Sequence, residues 1–363
     1  MKKKICVICS FDYANITSSI AYCINTFSSK YEFLIICQKK HPYDYQIKHM
    51  INYNLSEYNC NKIDTYILNN IIINFIKQSD LIILSDSLLY NETLLNPINP
   101  IILNDEYFPL SKLINIDMNI FTNKKIVYYY IVGVHTHNFY NIYNNIVNNS
   151  TGIIINNTYL NSLATHVNKY IVPYVHVYYH DRLSVIRQII ANKFKDNLIN
   201  IGCFQTNRIL KGFNYISQAI KLLQTKYNNV AFHDTNINNN AEIIKKRDEM
   251  TFIIDTYNTN NHGFGCTLYE SLGSGCIVIT SALGYQESYL SDNDIEPIPF
   301  ISVPIDSNDH INNIYVAIES LLVKPQSVLY DMCLKSYMWY HKYMSPSYYS
   351  QVYEKFILDK IIN

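Results

Sequence analysis

The sequence predicts an α/β protein of two successive domains, each a parallel sheet wrapped by helices. Three observations carry that prediction. Short, wholly apolar runs alternate with helix-length patterns along the chain, as in sheets whose strands are buried on both faces. The length of 363 residues suits two domains of ordinary size. The alternation also pauses at about 174–181, a connecting segment, and then starts again. The expected division is 1–174, 175–344 and a terminal helix, 345–363, expected to cross back to the first domain.

In the first series, Lys4–Ser10 reads as a buried strand, Ile16–Phe27 as a helix and Tyr31–Cys37 as a second strand. A helical pattern over Ile71–Gln78 leads into a strand at Asp80–Ser85. Pro100–Leu103, Lys125–Val134 and Gly152–Ile155 read as further strands, followed by a helical stretch at Tyr159–Val167 and a short run at Tyr170–Pro173. In the second series Leu198–Phe204, Val230–His233, Thr251–Ile254 and Cys276–Thr280 read as strands. Phe213–Lys226, Thr267–Leu272, Ile311–Leu322 and Pro346–Ile362 read as helices. The last opens on Ser345-Pro346, a cap residue followed by proline at the first helical position. Two Rossmann-like domains follow, with the ligand expected in the cleft between them.

Composition removes several function classes. Hydrophobic residues make up 48% and charged residues 16%, enough apolar surface for full cores, so bulk disorder is excluded. Lys+Arg 29 balances Asp+Glu 29, which argues against a nucleic-acid partner held by charge. Roughly one residue in eight is Asn and Tyr reaches 34, so runs such as Asn236–Asn240 carry little meaning. Arg, present only at 182, 187, 208 and 247, carries more. Nine cysteines without repeated paired spacing fit a reduced, cytoplasmic protein. Cys6 and Cys9 lie three apart on one strand and point to opposite faces, unlike metal ligands. No run approaches the roughly 18 consecutive apolar residues of a membrane span.

Glycine placement locates the chemistry. None of the nine glycines precedes Gly133, so the first turn, Ser10–Ser18, lacks the G-x-G-x-x-G of dinucleotide sites. No P-loop pattern occurs either. Five glycines fall between Gly263 and Gly284. The segment starting His262-Gly263-Phe264-Gly265-Cys266-Thr267 reads as a glycine turn, a short helix, another glycine turn and the strand ending at Thr280. Free backbone N–H groups at such a helix start favour an anion. Glu270, one turn in, can accept two hydrogen bonds from a ribose diol. Phosphate beside ribose describes a nucleotide.

This segment resembles the signature of family-4-type retaining glycosyltransferases of the GT-B fold, E-G-F-G-x-x-x-x-E-A-x-A-x-G-x-P-V-I-A. The match runs through Gly263-Phe264-Gly265, Glu270, Gly275 and Val278-Ile279. Gly202, Arg208 and Lys211-Gly212 are similar to the family's G-R-L…K-G stretch, Gly284–Glu287 to its G-G-x-x-E, and Val303–Asp306 to its V-x-P-x-D. The resemblance spans about 150–355. It implies a GT-B fold and transfer of a sugar from a nucleoside-diphosphate sugar to a hydroxyl acceptor (glycan, lipid or protein), with no metal and no other cofactor. Arg208 and Lys211 would be the catalytic cations on the pyrophosphate. Gly263, Phe264, Gly265, Cys266 and Thr267 would line the donor, with backbone N–H groups at Gly265–Thr267 on the phosphates. Glu270 would hold the ribose, and His262 and His135 the sugar. The family's first Glu is replaced by His262, and its glycine-rich first loop is missing.

Two rival functions stay open. One is a catalytically inactive GT-B scaffold, favoured by His262. The other is an inverting GT-B enzyme, acting for instance on nucleic-acid bases, with His135 or Asp12 as general base. Single residues also have plainer readings. Thr267-x-x-Glu270 forms a capping box. Arg208 and Lys211 suit a solvated loop, and His135 and His137 suit structural roles. Tyr337, Trp339, Tyr340, Tyr343, Tyr348 and Tyr349 read as core aromatics rather than a stacking surface.

Overall fold

Ile5–Cys9 and Leu81–Leu84 are buried at every position. A strand with no exposed face belongs at the centre of a parallel sheet covered on both sides. A computed structural model of the chain describes residues 1–11, 16–39, 51–54, 70, 72–85, 124–130, 151–155, 168–171, 179–205, 208–209, 211–234, 239–257, 265–281, 295–305 and 309–362. Their contacts form two units. One takes in Met1–Pro42, Ile47–Pro173 and Tyr349–Asn363, and the described residues of the other fall within Tyr174–Tyr348.

Seven described strands build the first unit's sheet. They are β1 (Lys3–Phe11), β2 (Tyr31–Lys39), β3 (Ile51–Asn54), β4 (Leu81–Ser85), β5 (Lys125–Tyr130), β6 (Gly152–Ile155) and β7 (Lys169–Ile171). Their order is β3-β2-β1-β4-β5-β6-β7, parallel throughout. Helix α1 (Ile16–Phe27) buries Ile16, Ile20, Ala21, Cys23 and Ile24, its apolar stripe. A second helix, α2, covers 72–78. The expected strand at Pro100–Leu103 and helix at Tyr159–Val167 lie outside the described residues. β3 went unforeseen because Ile51-Asn-Tyr-Asn54 is half polar, as an outer strand of the described sheet tolerates.

The second unit opens with a 3₁₀ turn (His180–Arg182) and α3 (Ile186–Asn192). Then follow β8 (Ile199–Gly202), α4 (Phe213–Lys226), β9 (Val230–His233), α5 (Asn240–Glu249), β10 (Phe252–Ile254), α6 (Cys266–Gly273), β11 (Ile277–Thr280) and β12 (Phe300–Ser302). α7 (His310–Leu322) and α8 (Gln326–Tyr343) complete it, and α9 (Pro346–Tyr353) runs on through a π turn into α10 (Asp359–Ile362). The sheet order is β12-β11-β10-β8-β9, again parallel. The Asn run proves meaningful at one position: Asn239 caps α5, its Oδ1 accepting from the Glu242 N–H at 3.1 Å. α5 itself was missed because Asn240–Glu249 is mostly charged. On α8, Tyr337, Trp339, Tyr340 and Tyr343 are buried, so these aromatics are core.

Residues 349–363 fold with the first unit, as the crossing helix requires. Tyr353 meets Phe33 edge to face, with ring centroids 6.1 Å apart. Lys125 Nζ donates to the carbonyls of Ile361 and Ile362, both at 2.9 Å, placing a cation at the negative end of α10. Asp359 accepts from Tyr31 Oη at 2.5 Å and Lys30 Nζ at 3.1 Å. The Tyr31 hydroxyl, then Lys30, hold its carboxyl below the usual range against the opposing effect of burial. The stabilisation is therefore complete above the unfolded-state value and fades as pH falls through the lowered one. Asp359→Asn is expected to cost about 1 kcal/mol at neutral pH. In urea denaturation followed against pH, the gap from wild type should close below pH ~4.

Candidate functional site at the switch point of the second sheet

In the second unit the chain winds outward from β8 to β9, returns, and continues the other way through β10, β11 and β12. The strand order reverses between β8 and β10, and open parallel sheets bind ligands outside the carboxyl ends of such a pair. The residues that follow these strands are tied together here. Gln205 Nε2 donates to the Asp255 carbonyl at 2.7 Å and to the Lys211 carbonyl at 3.2 Å. The Tyr257 N–H donates to the same Lys211 carbonyl at 3.0 Å. Gly212 follows at φ +72°, and a Cβ there would stand 1.9 Å from the Tyr257 carbonyl oxygen. Only glycine fits that left-handed, backbone-against-backbone position.

Lys211 therefore stands at a fixed place over the switch point. Its Nζ lies 3.7 Å from Asp255 Oδ1 and 3.7 Å from where a Cβ on Gly265 would be. Gly265 is the N-cap of α6 and supplies no side-chain cap. The first turn of α6 carries no acidic residue, so its N–H groups and positive dipole end suit an anion from elsewhere. Lys211, Gly265, Cys266 and Thr267, expected together from sequence, thus meet at one helix start.

The thiols on either side report the electrostatics. Burial pushes the Cys203 thiol up to about 12; Lys211 and Arg208 draw it down and Asp255 and Asp234 push it up by smaller amounts. Half-buried Cys266 is raised well above the ordinary thiol range by burial, then by Glu270 and Asp255, against Lys211 and Arg247. Both are neutral thiols rather than nucleophiles.

Arg208 points its guanidinium at Asp234. Nη1 lies 3.5 Å from Oδ2, Nη2 donates to the Asp234 carbonyl, and the group stacks 4.3 Å over the Phe213 ring. Glu270 is buried, and its Oε2 lies 2.6 Å from Arg247 Nη2. Burial works against the Arg247 charge, but Glu270 and Tyr179 outweigh it and hold the guanidinium above its ordinary range. The capping-box reading of Glu270 is corrected: with Gly265 as N-cap, Thr267 is the second residue of the helix, and its carbonyl accepts from Ser271 Oγ at 2.6 Å. His262, Gly263, Phe264 and His135 lie outside the described residues. Among the described residues no three His, Cys, Asp or Glu side chains gather as a metal site, and no helix is long and apolar enough to cross a membrane.

Three residues of this site escaped the sequence reading: Gln205, Asp255 and Arg247. Arg scarcity was a signal for Arg247. A charged residue directly after the apolar Phe252–Ile254 strand was the signal for Asp255. Gln205 carried none.

Two parallel, doubly wound sheets in succession, with a cationic site at the second one's switch point, place the chain in the GT-B fold class. Solved structures of similar fold agree. The structure of HepE from Anabaena in complex with UDP and glucose matches with TM-score 0.56 at 12% identity, over 97% of this chain and 98% of that one. A glycosyltransferase from Rickettsia africae matches with TM-score 0.56 at 13% identity, over 100% and 99%. The N-terminal domain of trehalose-6-phosphate phosphatase from Candida albicans matches with TM-score 0.59 at 9% identity, over 100% and 97%. No protein-family model and no curated protein sequence matches the chain.

The buried ion pair makes a stability prediction. Glu270→Gln strands the Arg247 charge and is expected to cost about 3–5 kcal/mol. The double variant Arg247→Met/Glu270→Leu should lose less than either single change, as read by urea denaturation.

Proposed function

We propose that the chain is a glycosyltransferase that moves a sugar from a nucleoside-diphosphate sugar to a hydroxyl acceptor on a glycan, lipid or protein. The observation that carries this reading is the Lys211 ammonium beside the uncapped start of α6, at the switch point of the second sheet. A lysine and a row of backbone N–H groups form a seat for a diphosphate. The similar fold of HepE, solved with UDP and with UDP-glucose, supports a sugar nucleotide as the ligand.

In this reading Lys211 and the N–H groups of Gly265–Thr267 stabilise the charge that builds on the leaving diphosphate, so no metal is required. Arg208 joins them by exchanging Asp234 for a phosphate. Its side chain is 39% exposed, and giving up a surface pair costs at most about 1 kcal/mol. Glu270, fixed by Arg247, takes the ribose hydroxyls. His262 contacts the sugar with one donor and one acceptor, where the resembled family has a carboxylate. Retention at the anomeric carbon and a cytoplasmic location complete the proposal.

A screen of sugar nucleotides, scored by released nucleoside diphosphate, tests it. Lys211→Ala is expected to cut turnover by about 10²–10³-fold, the scale of losing one preorganised donor. Arg208→Ala should cost about tenfold, its charge being shared with Asp234. Arg208→Ala should keep the wild-type melting temperature to within a few degrees, being a partly exposed loop cation, whereas Lys211→Ala leaves the buried Asp255 without its ion-pair partner and should lower it. Diphosphate binding without turnover of any donor would instead select the scaffold reading.

A further inference from the structure

Asp255 is wholly buried, and among the described residues neither of its carboxylate oxygens accepts a hydrogen bond. Its charged neighbour is Lys211, at 3.7 Å, longer than a charge-assisted hydrogen bond. The same carboxylate lies 3.9 Å (Oδ1) and 4.0 Å (Oδ2) from the Cβ position of Gly265, at the start of α6. An anion thus already stands beside the cation and the helix end that would receive a phosphate. Lys211 is 24% exposed and Asp255 is not exposed at all. A ligand would approach the lysine with the fixed negative charge near by.

Two effects of such a charge oppose each other. It pins the Lys211 side chain, which helps binding, and it repels an anionic ligand, which hinders it. Ordering one lysine side chain changes binding by at most about 30-fold. A like charge roughly 6 Å away, at an effective dielectric of about 20, changes it on the order of 100-fold per unit of ligand charge. Repulsion wins, and it grows with ligand charge. A free nucleoside diphosphate carries about one more negative charge at neutral pH than the same diphosphate esterified to a sugar.

We propose that Asp255 is a fixed counter-charge of the phosphate site that favours the intact sugar nucleotide over the nucleoside diphosphate left after transfer. It is a specificity-determining residue: it penalises the product's extra charge and speeds its release. The inference rests on the glycosyl-transfer reading above and adds to it the discrimination between donor and product.

Calorimetry tests it, with the best-binding member of a panel of UDP, GDP, ADP and dTDP and its matching sugar nucleotide. Asp255→Asn keeps the shape and removes the charge. It is expected to tighten the free diphosphate more than the sugar nucleotide, shifting the ratio of the two dissociation constants by up to about 100-fold, the scale of the one unit of charge by which they differ. Asp255→Ser takes the same test if the Asn form fails to fold. An unchanged ratio in a folded variant overturns the inference, as does weakening of both ligands together, the mark of a merely structural residue. If the wild type binds no nucleotide, the glycosyl-transfer reading falls and this inference with it. If it binds nucleotides and only the ratio stays fixed, the reading stands alone.

Discussion

At Gly212 two stretches of backbone touch. The left-handed turn there lets the chain pass against the Tyr257 carbonyl at a distance no side chain permits, and the Lys211 carbonyl collects two donors, from Gln205 and Tyr257. Everything charged at the switch point takes its place from that contact. Lys211 precedes the pivot, Asp255 follows β10 two residues before the Tyr257 that the pivot touches, and α4 begins directly after Gly212. A larger residue at 212 would have to part the loops following β8 and β10, and the lysine would leave the start of α6 with them.

The two acid–base pairs of this unit differ in kind. Arg247 and Glu270 are both buried at 2.6 Å, and such a pair adds little net stability while making the loss of either partner expensive. It ties α5 to α6. Lys211 and Asp255 sit at 3.7 Å, one partly exposed and the other not. That pair is loose by comparison, and its cation keeps donors for something else. Tight pairing marks the frame of the site and loose pairing marks its working edge.

Much of the fold was legible because apolar runs set it. Ile16–Phe27, Gly152–Ile155, Phe213–Lys226 and Val230–His233 appear at the limits their patterns indicate. Elements built from polar residues were not: β3 is half asparagine, and α5 shows mostly charge. The site was legible in part for a similar reason. Scarce residues, the glycines and Lys211 beside Gly212, stand out against an Asn- and Tyr-rich background. Gln205 and Asp255 look ordinary in one dimension, and become notable only when parallel pairing brings the ends of β8 and β10 side by side. Glu270 shows the limit of a motif. Its spacing from Thr267 spelled a cap, but the helix starts earlier than that spelling assumed, and its partner is an arginine on another helix.

The return of residues 349–363 to the first unit bears on how the protein is made. That unit is discontinuous: its sheet is complete by Ile171, yet α10, the hydroxyl pairing of Tyr31 and the carbonyls capped by Lys125 all involve residues from beyond the second unit. On a ribosome residues 174–348 of the second unit emerge together, while the first waits for more than half of the chain to be synthesised after its described sheet. During that interval the surface around Tyr31 and Phe33 lacks its native cover, a period in which a chaperone is the natural companion. The order of synthesis and the order of final assembly are thus reversed, and the N-terminal unit, first to emerge, is the last to be finished.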